Sequence, residues 1–395
     1  MNPAMKKISV LMGIGFVDML GFAMIFPLLP YYALRLEASP SVIGWMIAGF
    51  SIAQMASSPA WGRVSDRFGR RPALIIGLVG SGIGFLVFGF ATSIWMLFLS
   101  RIIQGAGGGT TGVAQAYIGD AVEPRERAKA LGWLSAATSA GVMIGPAIGS
   151  LATNLGYAAP GIIAAGLCVL NIGFAWRWLP ETNVRKVRAA GDAPEPVRRS
   201  VRTVVEEVLL RPRADVSKLI WVYAIGMLGF MSMTAVFALF LNAKFGVTEK
   251  TIGYFFVYNG LLGVIMRALL LGRLVDALGE VRLMRLGTLS LLLGLLLIPL
   301  AQNVWAVAAV MSLIPIGTAL LFPATSALVT HRAPDHERGQ VLGVQQTFGG
   351  IARVIAPVWA TRTFEVAIGL PFFVASGVVA VVGLLTLSIR REDVA

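Results

Sequence analysis

Cysteine is all but missing. Cys168 stands alone in 395 residues, so no disulfide framework holds the chain together, and inside an apolar run this residue reads as a small buried hydrophobe. Histidine is nearly as rare. Both copies, His331 and His336, fall in one hydrophilic stretch, which leaves no histidine-built metal site within the apolar sequence. Charge is scarce at 13% of residues, and the 20 Asp and Glu are outnumbered by 33 Lys and Arg. So little charge, with a mean hydropathy of +0.77, lies far outside the range of soluble proteins, and the chain is too long for a single apolar core. The alternating strands of an outer-membrane barrel are absent. No nucleophile–base or metal constellation supports an enzyme, and Gly105-Ala106-Gly107-Gly108-Gly109 lacks the Lys-Ser/Thr that completes a nucleotide-binding loop.

What is present is a succession of apolar runs of roughly 20 residues, each long enough to cross a ~30 Å hydrocarbon layer as a helix. Twelve are counted, among them about 8–33, 41–62, 251–272 and 367–389. The first is too long for a cleavable signal peptide, lacks a small-residue cleavage site, and contains Asp18, Pro27 and Pro30. The sequence therefore predicts an all-α membrane protein of twelve transmembrane helices. A six-helix bundle is expected over 1–182, a linker rich in Arg, Glu, Ala and Pro over 183–216, and a second six-helix bundle over 217–395. Within the linker, "VRTVVEEVLL" suits an amphipathic surface helix and suits a solvated linker equally well.

The net charge of +13 is a matter of topology. Arg35, Lys244, Lys250 and Arg362 fall in loops on one side and Arg101, Arg267 and Arg353 lie inside spans. The remaining Lys and Arg occupy the other side together with both termini, which predicts cytoplasmic ends and gives no support to nucleic-acid binding.

Two stretches echo each other. Gly62-Arg63-Val64-Ser65-Asp66-Arg67-Phe68-Gly69 matches Gly272-Arg273-Leu274-Val275-Asp276-Ala277-Leu278-Gly279 at an offset of 210. Glu126-Arg127 with Gly132 matches Glu337-Arg338 with Gly343, and Pro146 matches Pro357, both at 211. Three matches in nearly one register indicate an internal duplication, and paired six-helix halves are a transporter architecture.

These residues resemble a known family. Gly62-x-x-x-Asp66-Arg67-x-Gly69-Arg70-Arg71 is similar to the loop 2–3 signature of the major facilitator superfamily. Arg101-x-x-Gln104-Gly105 and Gly141-x-x-x-Gly145-Pro146-x-x-Gly149 resemble signatures of its twelve-helix drug:proton antiporter branch, to which the tetracycline exporters belong. Asp18-x-x-Gly21, Pro27-x-x-Pro30 and Pro180-Glu181-Thr182 fit the same branch over essentially the whole chain. Tetracycline exporters carry a histidine in span eight and an aspartate in span nine. Here Gly263 stands near the first position and span nine has no acid, a departure that points away from tetracycline–metal complexes.

The signatures also make physical sense unaided. A short loop must reverse the chain, and Gly62 with Gly69, like Gly272 with Gly279, is expected to ease that turn. Asp66, Arg67, Arg70 and Asp120 are expected to form a gating cluster, with Asp276 as the second-half counterpart of Asp66; plain topological charge is the competing reading for the arginines. Projecting Arg70 and Asp120 through the repeat pairs Glu280 with His331 or Arg332. Gly141, Gly145, Pro146 and Gly149 form a small-residue stripe that lets helices approach closely.

Ionisable residues inside spans point to function. Asp18 is the one acid deep in any apolar run and Arg101 lies at a similar depth, so the two are expected to carry and tune a proton; a static ion pair is the structural alternative. Arg267 is expected to snorkel toward the inner surface. Arg353 is expected to meet backbone carbonyls, an anionic substrate or lipid. Phe22, Gln54, Gln115, Asn259, Tyr223, Met227, Phe230 and Phe237 are candidate cavity residues, although aromatic and methionine faces more often pack helices.

The resemblance implies proton-coupled export of small amphipathic organic compounds by alternating access, with no cofactor beyond the proton gradient and no metal. It also implies membrane lipid as surroundings, a monomer, and a bacterial-type inner membrane. A proton-coupled carrier of one metabolite or lysolipid is the alternative within the fold, and a non-transporting receptor or scaffold the alternative outside it.

Overall fold

The computed structural model describes residues 3–123, 126–182, 201–334 and 337–389. His336 and the linker residues 183–200 lie outside them. Among the described residues there is no β-strand, and the helices make twelve passes. Span one is Pro3–Ile25 continued by Leu29–Arg35, span two Pro40–Phe68, span three Arg70–Gly89. Span four is Ile94–Gly107 and Thr111–Ala121 around a 3-10 turn, Gly108–Thr110; span five is Arg127–Ala152 and span six Ala159–Trp178. After a separate helix, Val201–Leu210, come span seven, Asp215–Phe245, and span eight, Ile252–Ile265 and Leu271–Leu278 about a π turn, Met266–Leu270. Span nine is Glu280–Leu297, span ten Val304–Met311 and Leu313–Arg332, span eleven Arg338–Val366 and span twelve Leu370–Leu387.

Local chemistry sets these bounds. Pro30 sits in the first turn of Leu29–Arg35, where its missing N–H goes unneeded, so span one breaks at 26–28 and restarts. Ser93 caps span four by accepting from the Met96 N–H, and Asn303 caps span ten by accepting from Ala306. Those two caps stand at the same 210-residue offset as the loop echo.

Eight passes are long and apolar enough to cross a membrane by length and composition alone. The other four are spans two, four, eight and eleven. Two of them are interrupted by turns, and together they carry Gln54, Arg101, Asn259, Arg267 and Arg353, so the least apolar passes hold most of the embedded polar side chains.

The chain divides into two compact units. One holds the described residues of 1–186 together with Gly246–Gly260; the other holds those of 187–245 and 261–395. In the first, span one packs on spans five and six, and span three on spans four and six. In the second, span seven packs on spans eleven and twelve, and span nine on spans ten and twelve. One pairing pattern is thus used twice, as duplication requires. The stretch 201–210 is helical and amphipathic. Val204 and Val208 are buried, and the Trp221 indole N–H donates to Val208 O at 3.1 Å, which fastens this helix to span seven.

Candidate functional site

The loop 2–3 signature builds a charge cluster on a very tight turn. Span two stays helical to Phe68 and span three begins at Arg70, so the turn is Gly69 alone, with φ +110°. Gly62 lies inside span two with nothing within 4 Å of where its Cβ would stand, and Gly272 is likewise helical and open. The expected turn role of these two is therefore corrected: the helix continues through them, and Gly279, at φ +74°, makes the second turn.

Arg70 organises the cluster. Its Nη1 donates to Asp66 Oδ1 and to Ser65 Oγ, each at 2.6 Å, and its Nε donates to Asp120 Oδ2 at 2.9 Å. Asp66 reaches it from one turn back along the chain and Asp120 from the end of span four. Glu181 completes the site: its carboxylate accepts from the Arg70 N–H at 2.9 Å and the Arg71 N–H at 3.2 Å, capping span three where an anion is favoured. A side chain at position 69 would occupy the space that this carboxylate fills. Sequence reasoning missed the role of Glu181, because a contact across 111 residues leaves no local signal. Arg71 donates to Trp176 O and stacks on the Trp176 ring, and Arg67 lies over Phe68, so neither joins the acids. In the second unit Asp276 makes no hydrogen bond or ion pair among the described residues, whereas Glu280 Oε1 lies 4.0 Å from His331 Nδ1, the pairing projected from the repeat.

Asp18 and Arg101 do not form an ion pair. Arg101 is almost wholly buried, donates to Gln104 Oε1 one turn along span four, and stacks 5.4 Å from the Phe88 ring; its Nε and the Gln104 amide nitrogen have no partner among the described residues. Asp18 faces span six instead. One turn before it the Asn171 side chain donates to Ile14 O at 2.9 Å, one turn after it Gly21 lies against Phe85 and Ala164, and Cys168 is within electrostatic reach. Asp18 is partly buried and has no hydrogen-bond or ion-pair partner among the described residues. The static pair weighed from sequence is thus replaced by two separate polar groups, because the helical phase of span one turns Asp18 toward span six.

The small-residue stripe works as a close-packing surface. A Cβ at Gly141, Gly145 or Gly149 would run into backbone atoms of Phe16, Leu20 or Met24 on span one. Pro146 and its neighbours receive the start of span eight: the Gly253 N–H donates to Ser150 Oγ at 2.9 Å, and Gly260 abuts Met143. Near it Arg35 is ion-paired to Glu249 and lies over the Tyr157 ring.

The candidate lining residues scatter. Phe22 packs 5.1 Å from the Phe50 ring, and Gln54 donates to Gly108 O at 3.3 Å, a carbonyl within the 3-10 turn. Gln115 is exposed, and Asn259 Oδ1 is buried with no partner among the described residues. Tyr223 and Met227 are buried beside Phe230, Phe322 and Ala352, and Phe237 is buried as well, so helix packing is what this span-seven face does within its unit. Arg353 is partly buried and has no hydrogen-bond or ion-pair partner among the described residues. Arg267 does not snorkel: its Nη1 lies 3.5 Å from the position of a Cβ on Gly263, back toward the middle of span eight.

The family model of the Major Facilitator Superfamily matches residues 11–357. The chain belongs to this superfamily. As a major facilitator it has close company. Multidrug resistance protein 1 of Bacillus subtilis is 30% identical over 380 residues, 94% of this chain and 93% of that protein. The class B tetracycline resistance protein of Escherichia coli is 28% identical over 345 residues, 87% of this chain and 84% of that protein. Among solved structures, the nucleoside transporter NupG superposes with a TM-score of 0.77 at 13% identity, covering 97% of this chain and all of that one, which shows the shared fold. This major facilitator is a multi-pass membrane protein of twelve helices, and its relatives are transporters rather than enzymes.

Proposed function

We propose that the protein exports small amphipathic organic compounds, drugs among them, in exchange for protons, by alternating access. The observation that supports this most is Asp18, a carboxyl inside span one with no fixed partner among the described residues, in a chain related over nearly its whole length to multidrug and tetracycline resistance proteins. A carboxyl shielded from water favours its neutral form and one opened to water its charged form, so changing access loads and unloads a proton. Arg101, buried and held by Gln104, tunes the field around it. The Asp66–Arg70–Asp120 cluster steadies one end of the first unit in the state closed to the cytoplasm, and the Gly141–Gly149 stripe lets span one and span five shift against each other. The proton gradient is the energy source with no cofactor. The protein works as a monomer among lipids of a bacterial inner membrane, both termini cytoplasmic.

Cells expressing the protein should keep an amphipathic dye at low internal concentration, and a protonophore should abolish that effect. Dye exclusion that persists with the gradient collapsed would contradict proton coupling.

A further inference from the structure

We infer that Arg267, inside the second half of span eight, recognises an acidic group on the transported compound, so that amphipathic organic anions are the preferred substrates. This deepens the export reading and rests on it.

The chain departs from α-helical geometry at this point. Met266–Leu270 forms a π turn, an irregularity frequent at functional sites. Arg267 is exposed within its unit and has no hydrogen-bond or ion-pair partner among the described residues. An unpaired guanidinium at the centre of an apolar helix costs ~2.5–3.5 kcal/mol, and a cost of this kind within span eight calls for a partner.

Lipid headgroups do not answer for it. Arg267 is about five residues from the end of the apolar run near 272, or ~8 Å at 1.5 Å per residue. Its guanidinium turns away from that end, toward Gly263, whose missing side chain leaves it room, and the nearest atom on span ten at that glycine is Pro315 Cβ. Glycine and proline carbon offer no acceptor.

The second unit does not supply an acid either. Among its described residues Glu206 and Glu207 lie in the separate helix Val201–Leu210, Asp215 opens span seven, Asp276 and Glu280 flank the turn at Gly279, Glu337 precedes span eleven, and Glu365 nearly closes it. None lies in the middle of a span. The missing anion is therefore one that arrives and leaves, and a planar guanidinium fork suits a carboxylate, sulfonate or phosphate. The substrate's charge and the proton on Asp18 then sit on different residues of different units and do not compete for one site.

The test uses two dyes sharing a xanthene ring, anionic carboxyfluorescein and cationic tetramethylrhodamine methyl ester, titrated by fluorescence polarisation against purified full-length protein. The wild type should bind carboxyfluorescein more tightly. Losing a charge-assisted contact should weaken carboxyfluorescein about tenfold or more in Arg267→Gln while leaving the rhodamine unchanged, and Arg267→Lys should retain most of the affinity. Unchanged rhodamine binding shows that the variant is folded. An unaltered carboxyfluorescein affinity in Arg267→Gln, a wild type that prefers the rhodamine or binds neither dye, or displacement of carboxyfluorescein by phosphatidylglycerol would each overturn the inference. If it fails while cells still exclude a cationic dye by means of the gradient, export stands and only the anionic preference falls.

Discussion

Asp66→Asn should separate gating from stability. The Asp66 side chain is 68% exposed, and it shares Arg70 with Asp120. An exposed pair one helical turn apart contributes only ~0.3–0.5 kcal/mol. Arg70, whose own side chain is 18% exposed, would keep Asp120 at 2.9 Å and Ser65 at 2.6 Å. The loss of unfolding free energy should therefore not exceed about 0.5 kcal/mol, a fall of roughly 2 °C or less in thermal midpoint. Transport by the same protein in proteoliposomes should nevertheless drop close to background, because the pair biases one conformational state rather than holding the bundle together. Turnover near the wild-type rate would refute the gating role. A fall equivalent to more than about 2 kcal/mol would refute the energetic reasoning and make Asp66 a structural residue.

Two glycines of one motif should respond in opposite directions. Gly69→Ala forces an L side chain to φ +110° and sets its Cβ 2.5–2.9 Å from the Glu181 carboxylate, so it should destabilise by at least ~1–2 kcal/mol. Gly62→Ala, inside a helix and in open space, should stabilise by ~0.5–1 kcal/mol; equal thermal midpoints for the two variants would contradict the one-residue turn. Gly145→Val drives a side chain into Ala23 Cβ and Leu20 O, each 2.7 Å from the new Cβ, and should lose ~1–3 kcal/mol together with most transport. Gly132→Ala on the same helix, with nothing within 4 Å, should lose neither, and a Gly145→Val protein as stable as wild type would mean that spans one and five are not tightly packed.

Much of the fold was legible because membrane helices declare themselves by length and apolarity, and because the repeat fixed six passes per half. Even side-chain detail survived projection through the repeat, as Glu280 beside His331 shows. Three things were not legible. The loop 2–3 turn looked longer than it is, because Arg63, Asp66 and Arg67 end the apolar run without ending the helix. The depth of Asp18 and Arg101 suggested a pair, but depth carries no information about azimuth, and each faces a different neighbour. Glu181, finally, caps span three from the far end of span six, a role set by packing alone.

The central claim is proton-coupled export with Asp18 as the carrier, and the most direct measurement is transport by Asp18→Asn in proteoliposomes. The wild-type protein should accumulate substrate against its concentration gradient when a pH gradient is imposed. Asp18→Asn should not, while substrate exchange with no gradient should continue. Uphill transport by Asp18→Asn at the wild-type rate would contradict the assignment and place the carrier on another residue.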